Sequence, residues 1–230
     1  MTGVSPLSDF DRLSRLVPLS GCDVLDIGAG DGATAAQMAD AGARGTGLEV
    51  DAARVARATA QHGSKITMRE GRAEALPFPD AAFDLATLFF SLHHVPVPVL
   101  GAALAEVARV VRPRGQVFVV EPLPEGPMFE LVRPLDDETV VREAAQARLA
   151  AMAGEDPRFA LIAREAYTTE RRIPELQGFI DRLVGVDPAR AARLPAVQDA
   201  LAARYAAAPR DATGTAVLAQ PCVACLFGRV

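Results

Sequence analysis

The sequence predicts an α/β chain built on a mainly parallel sheet. Apolar runs of strand length alternate with stretches of helical periodicity, the rhythm of successive βαβ units. A turn with glycine at positions 28, 30 and 32 joins the first such run to the first helical stretch. A lone carboxylate, Glu49, stands at the end of the second run.

Taken in order, a short helix over about 8–17 precedes a strand at Asp23–Ile27. Further strands fall at Gly45–Val50, Lys65–Arg69, Phe83–Phe89 and Gln116–Glu121. Helices at about 32–42, 51–62 and 97–111 lie between them, and Pro113 and Gly115 stop the last. Beyond Glu121 the rhythm changes. The loop "EPLPEGP" leads to Asp136, Asp137 and Glu138, acids placed where a helix N-terminus favours negative charge, with Val141, Ala144, Ala145 and Met152 following at helical spacing. A strand is expected near Tyr167–Ile173, then helices at about 174–184 and 188–207. Asp187 would cap the second, Pro188 would sit in its first turn, and Pro195 would break or kink it. "TAVLAQPCVACLFGRV" reads as a long last strand in which Pro221 implies an edge position or a bulge.

The whole chain of 230 residues suits one domain, 1–230, with half its residues apolar and net charge −5. Only one of the 24 cations is a lysine, Lys65, and the arginines are scattered singly, so no basic face for a nucleic acid is visible. The longest apolar runs fall short of the ~18 residues a membrane span needs. The N-terminus shows no secretory pattern, and three cysteines are too few for a disulfide framework. These features point to a cytoplasmic protein. Cys222 and Cys225 form a C-x-x-C within a strand-like run, where they would point to opposite faces as inert apolar residues.

Glycines 28, 30 and 32 leave the backbone bare for a turn and a closely apposed ligand. The pattern fits a dinucleotide site, and Glu49, 21 residues after Gly28, stands where a carboxylate takes ribose hydroxyls. Charge separates the ligands. A pyrophosphate at this helix N-terminus would meet Asp31, and like charges at ~4 Å cost on the order of 1–4 kcal/mol. A ligand with a ribose, an amino acid and a cationic centre welcomes acids such as Asp26 and Asp31; the alternative is that they merely cap the turn and helix. S-adenosylmethionine (SAM) has that composition.

The stretches "VLDIGAGDG", "GLEVD", "GRAEALPFPDAAFDLATLFFSLHHV" and "EVARVVRPRGQVFVVEP" resemble, in order over roughly residues 20–122, the motifs of class I SAM-dependent methyltransferases, nearest the small-molecule type of the ubiquinone and menaquinone pathways. The resemblance implies a Rossmann-like seven-stranded sheet of order 3-2-1-4-5-7-6, strand 7 antiparallel, with helices on both faces. It implies that Gly28, Ala29 and Gly30 line the methionine part, that Glu49 holds the ribose and that Val50 lies against adenine. The loop after strand 3 normally supplies an aspartate to the adenine amino group. Here it reads Gly71-Arg72-Ala73-Glu74, and a guanidinium only donates. Arg72 would stack on the purine, or Glu74 would reach over, while Ala73 offers its N–H. Phe89 occupies the strand-4 position that often holds Asn or Asp; Phe89 and Phe90 would point to opposite faces of the strand.

Methyl transfer needs chiefly alignment, but a hydroxyl acceptor gains from a base. His94 and His93, beyond the carboxyl end of strand 4, are the candidates, His94 ahead by a small margin. No metal site is expected, because adjacent histidines diverge. Glu121 reads as a strand terminator rather than an acid catalyst. Segments of about 122–164 and 174–208 are the substrate-side lid; Met128, Phe129, Leu131 and Val132 would form an apolar cover or, equally, a homodimer contact. The expectation is thus a SAM-dependent methyltransferase acting on a small organic acceptor, O- or C-methylation favoured. Its rivals are a SAM-binding sensor without turnover and an NAD-dependent oxidoreductase.

Overall fold

A computed structural model describes residues 7–230. The expectation about a secretory leader rests partly on positions 1–6, which lie outside the described residues. The elements in chain order are α1 (Asp9–Leu16), β1 (Asp23–Ile27), α2 (Ala33–Asp40), β2 (Arg44–Glu49), α3 (Ala52–His62), β3 (Ile66–Glu70), β4 (Phe83–Phe89), α4 (Leu100–Val110), β5 (Val111–Pro122), α5 (Pro127–Val132), α6 (Thr139–Gly154), β6 (Phe159–Ile173), α7 (Leu176–Val186), α8 (Arg190–Ala206) and β7 (Ala216–Arg229). The sheet has seven strands in the order β3-β2-β1-β4-β5-β7-β6, with β7 antiparallel, as expected.

β1 pairs in parallel with β2 (Leu25 opposite Thr46) and with β4 (Leu25 opposite Ala86), so the first strand lies between two partners. Its interior position explains its composition: Val24, Leu25 and Ile27 are buried, as a strand covered on both faces requires. Local chemistry sets the helix starts. Ser8 and Asp11 form a reciprocal capping box on α1, and Asp51 accepts the Ala53 and Arg54 N–H groups at the head of α3.

The chain divides into two compact units. Among the described residues one comprises 7–121, 144–165 and 223–230, the other 122–143 and 166–222. In the second unit Leu131, Ile173, Phe179, Ala216 and Leu218 form a core, and Leu135, Ile180 and Leu201 a neighbouring cluster. Arg190 is buried there with its guanidinium on Asp136 and on the Leu183 carbonyl.

Several sequence expectations need correction. β5 begins at Val111, not at Gln116: Arg112 pairs with Asp23 and Asp84 and holds "RPRG" against the sheet, with a register shift between Phe83 and Leu85. β6 begins at Phe159, eight residues before the expected start. Pro195 does not break α8, which runs unbroken to Ala206. Asp187 does not cap α8; its carboxylate turns back onto the Ala189 N–H and the helix starts at Arg190. Pro221 is not on an edge strand, since β7 lies between β5 and β6. Its carbonyl accepts the Leu123 N–H, and a Cβ on Gly126 (φ +92°) would come within 2.5 Å of its ring. Cys222 and Cys225 are both buried in β7. Among the described residues no helix is long and apolar enough to cross a membrane.

Candidate active site

The glycine turn leaves the carboxyl end of β1. Gly28, Gly30 and Gly32 all have positive φ, and the Gly28 and Ala29 N–H groups both donate to the Leu48 carbonyl at 2.9 Å. Bare backbone is needed at Gly28 for a second reason: a Cβ there would lie 2.5 Å from that of Ser91. Ser91 in turn donates to the Ile27 carbonyl at 2.6 Å, joining the segment after β4 to the end of β1.

Glu49 is almost fully buried and is the organising acid of this turn. One carboxylate oxygen accepts the Gly30 N–H at 3.0 Å; the other accepts Val50 and Asp51 N–H at 2.8 and 3.2 Å. Its backbone carbonyl takes the Gly71 N–H, fastening the loop after β3 to the same strand end. Val50, by contrast, is 60% exposed, an apolar side chain open to solvent beside a polar strand terminus. Asp26 is buried and accepts from the Thr87 hydroxyl at 2.7 Å. Burial raises its carboxyl to about 6 against the pull of that hydrogen bond. Asp31 is exposed and a carboxylate oxygen accepts the Ala33 N–H, while the N-cap of α2 is Gly32.

In the loop after β3, Arg72 and Glu74 neither stack nor reach out separately: they pair with each other at 2.5 Å, and that hydrogen bond holds the Glu74 carboxyl below its ordinary range. Ala73 is buried. Arg109 clamps the far side of this loop through the Leu76 and Phe78 carbonyls, Asp80 and Glu106. Phe89 ends β4 against the ring of the buried Phe118, 5.6 Å away. Phe90 lies just past the strand with φ +53°, so the expected alternation across a single strand does not hold.

The histidines follow on a short 3-10 turn, Leu92–His94. Their rings do not diverge; the centroids are 4.1 Å apart at 48°. His94 is exposed, whereas His93 is 5% exposed and its Nδ1 lies 2.5 Å from Glu121 Oε2. Glu121 is wholly buried, and its other oxygen accepts the Leu92 N–H at 2.8 Å. Sequence reasoning took this acid for a strand terminator. The signal was an acid closing the otherwise apolar run "VFVV" at the sheet edge where ligands bind. A separate cavity of about 400 Å³, lined by Asp23, Arg44, Gly45, Lys65 and Ile66 among others, lies at the amino ends of the strands and contains none of these groups.

Residues 24–115 match a family described as a methyltransferase domain. Over these residues the chain is similar to methyltransferase domains. Over 127 residues it is 35% identical to the 27-O-demethylrifamycin SV methyltransferase of Amycolatopsis mediterranei, covering 50% of this chain and 46% of that protein. Over 119 residues it is 39% identical to the ubiquinone biosynthesis O-methyltransferase of Aromatoleum aromaticum, covering 50% of each. The chain therefore spans about half the length of the curated relatives it matches. Among solved structures, a putative methyltransferase of Bacillus halodurans superposes with TM-score 0.69 at 18% identity over 96% of this chain and 99% of that one. The YcgJ protein of Bacillus subtilis gives 0.67 at 21% identity over 96% and 97%. Both likenesses concern the fold.

The residues of the matched segment fit SAM in the parts that the geometry defines. A buried carboxylate stands at the end of β2, an exposed valine follows it, and the glycine turn is flanked by acids. The adenine end departs from the family pattern, since Arg72 offers only donors and is engaged by Glu74.

Proposed function

We propose that this chain transfers a methyl group from SAM to a small organic acceptor, at oxygen or carbon. The observation that carries the reading is the pair of buried carboxylates, Asp26 and Glu49, on either side of the Gly28–Gly30 turn. A diphosphate would meet like charge there, whereas a sulfonium and an ammonium gain from it. The names of the rifamycin and ubiquinone relatives support a small-molecule acceptor and oxygen chemistry.

In this reading Asp26 and the backbone of Gly28, Ala29 and Gly30 surround the methionine part, Glu49 the ribose hydroxyls, and Val50 a purine face. Ala73 and Arg72 stand at the purine edge, and Phe89 borders the transferring carbon. SAM, when bound, supplies an activated methyl. The protein's own task is then to hold an acceptor nucleophile in line with it, which accounts for several kcal/mol of barrier. His93 and His94 are the bases available to an acceptor that arrives protonated. Acceptor choice is assigned to the segments of about 122–164 and 174–208, which begin where the chain leaves β5.

The test is equilibrium binding followed by turnover. Thermal unfolding should shift upward with SAM or S-adenosylhomocysteine and stay put with NAD. A shift with NAD alone would sink the proposal. Tight SAM binding without product from phenol, quinol, enol, thiol and amine panels would indicate a binding protein instead.

A further inference from the structure

We infer that Glu121 is a positioning residue that fixes His93 with its proton on Nδ1 and its lone pair on Nε2, and that the acceptor is therefore a hydroxyl that arrives protonated. The inference rests on the methyltransferase reading. Its basis is the geometry of one buried carboxylate. Both oxygens of Glu121 are committed to the turn that carries the histidines: Oε1 accepts the Leu92 N–H at 2.8 Å and Oε2 meets His93 Nδ1 at 2.5 Å. The Leu92 N–H can only donate, so that oxygen can only accept. With the second oxygen accepting as well, the hydrogen at that contact belongs to Nδ1. The ring then presents Nε2 as its basic nitrogen.

The placement costs too much to be idle. Glu121 is completely buried, and among the described residues its charge-bearing partner is a histidine rather than an arginine or lysine. A terminator at a strand end needs no carboxylate shut away from water, where an uncompensated charge is costly. A carboxylate behind an imidazole does have a use: it orients the ring and compensates the charge that the ring gains on taking a proton. A thiolate or an already ionised carbon acid would need no such group. In the step, the acceptor O–H bond breaks and its proton passes to His93 Nε2. The freed electron pair forms the O–CH₃ bond as the C–S bond breaks, its pair leaving on sulfur.

Glu121→Gln gives a sharp test because glutamine keeps the shape but has one acceptor oxygen. Leu92 N–H claims that oxygen, so the carboxamide NH₂ faces His93 Nδ1 and drives the ring proton to Nε2. With only three histidines in the chain, ¹⁵N-histidine NMR can follow each ring of the full-length protein. The wild type should show His93 protonated at Nδ1, and E121Q should show it protonated at Nε2. Methyl transfer is then compared on two acceptors, an unsubstituted catechol and its nitro-substituted analogue, which is already ionised at assay pH. E121Q should slow the plain catechol by about 100-fold or more, the scale of general-base catalysis. It should leave the ionised analogue within about threefold and the KM for SAM unchanged.

Equal slowing of both acceptors would mean a structural role and overturn the inference. So would a wild type with His93 protonated at Nε2, or one that methylates neither catechol or only the ionised one. If the wild type fails to bind SAM at all, the methyltransferase reading falls first, and that outcome is read directly from the thermal shift.

Discussion

The Glu49 carboxylate accepts the Gly30 N–H at 3.0 Å, so the end of β2 and the glycine turn after β1 form one hydrogen-bonded unit before any ligand is considered. The same carboxylate takes Val50 and Asp51 N–H, three backbone donors in all. Glu49→Ala removes every acceptor at once. Each stranded donor costs roughly 1–3 kcal/mol where water cannot replace the partner. We expect E49A to lose about 2–4 kcal/mol of unfolding free energy in denaturant titration, together with the heat shift by SAM. Wild-type stability in E49A would show that the turn holds its shape without this acid.

Asp26 gives a stability term with a definite sign in pH. Burial raises its folded-state carboxyl from the ordinary 3.8 to about 6. The folded protein therefore holds this proton more tightly than the unfolded chain between those values. Stability from this group is fully present below pH ~4 and is lost as pH rises through ~6, a total of about 3 kcal/mol at 1.36 kcal/mol per unit. Asp26→Asn removes the ionisation. The variant should match the wild type near pH 4 and exceed it by about 1–3 kcal/mol at pH 8, while binding SAM less tightly. A wild type–variant difference that does not change between pH 4 and 8 would refute the buried charge.

At Gly28 two costs of adding a methyl group can be separated. The residue sits at φ +75°, where any Cβ costs on the order of 1–2 kcal/mol, and the new atom would meet the Ser91 Cβ at 2.5 Å. The second cost is overpacking, typically 1–3 kcal/mol. Ser91→Gly removes the obstacle at the expense of the Ser91–Ile27 hydrogen bond. The double variant G28A/S91G should be more stable than the sum of the single changes predicts, with a coupling of about 1–2 kcal/mol. Strict additivity would mean that the backbone relaxes away from the clash.

What could be read from the sequence follows from how local each signal is. β1 to β4 match their expected spans within a residue or two, because an interior parallel strand is a short apolar run bounded by turn residues. Glu49 was legible for the same reason, a single acid at the end of such a run. β5 was cut short because Pro113 and Gly115 read as a stop, whereas Arg112 ties that stretch to Asp23 and Asp84, contacts that no window of sequence contains. β6 was missed over Phe159–Ala166, where an edge strand exposed on both faces loses the alternation that marks it. The pairing of His93 with Glu121 joins positions 28 residues apart and depends on parallel neighbours β4 and β5, so each residue alone looked ordinary. Arg72 and Glu74 were each noticed, but their pairing is a matter of rotamers that residue spacing does not specify.

That pairing makes the last prediction. Arg72 occupies the position where the family pattern has an acceptor for the adenine amino group, and its guanidinium is engaged by Glu74 at 2.5 Å. The pair is solvent-accessible on the arginine side, so breaking it costs little fold stability, within about 1 kcal/mol. Arg72→Asp places an acceptor at the purine edge and frees Glu74. A hydrogen bond to a charged acceptor contributes about 1.5–3 kcal/mol, discounted here for exposure to roughly 1 kcal/mol, so the Kd for SAM should fall about fivefold. Calorimetry with SAM and with an analogue whose purine carries a 6-oxo group separates the cause: the gain should appear with the amino form and vanish with the oxo form. Equal tightening for both would trace the effect to net charge in the loop, and weaker binding of both would show that Arg72 itself supports the purine.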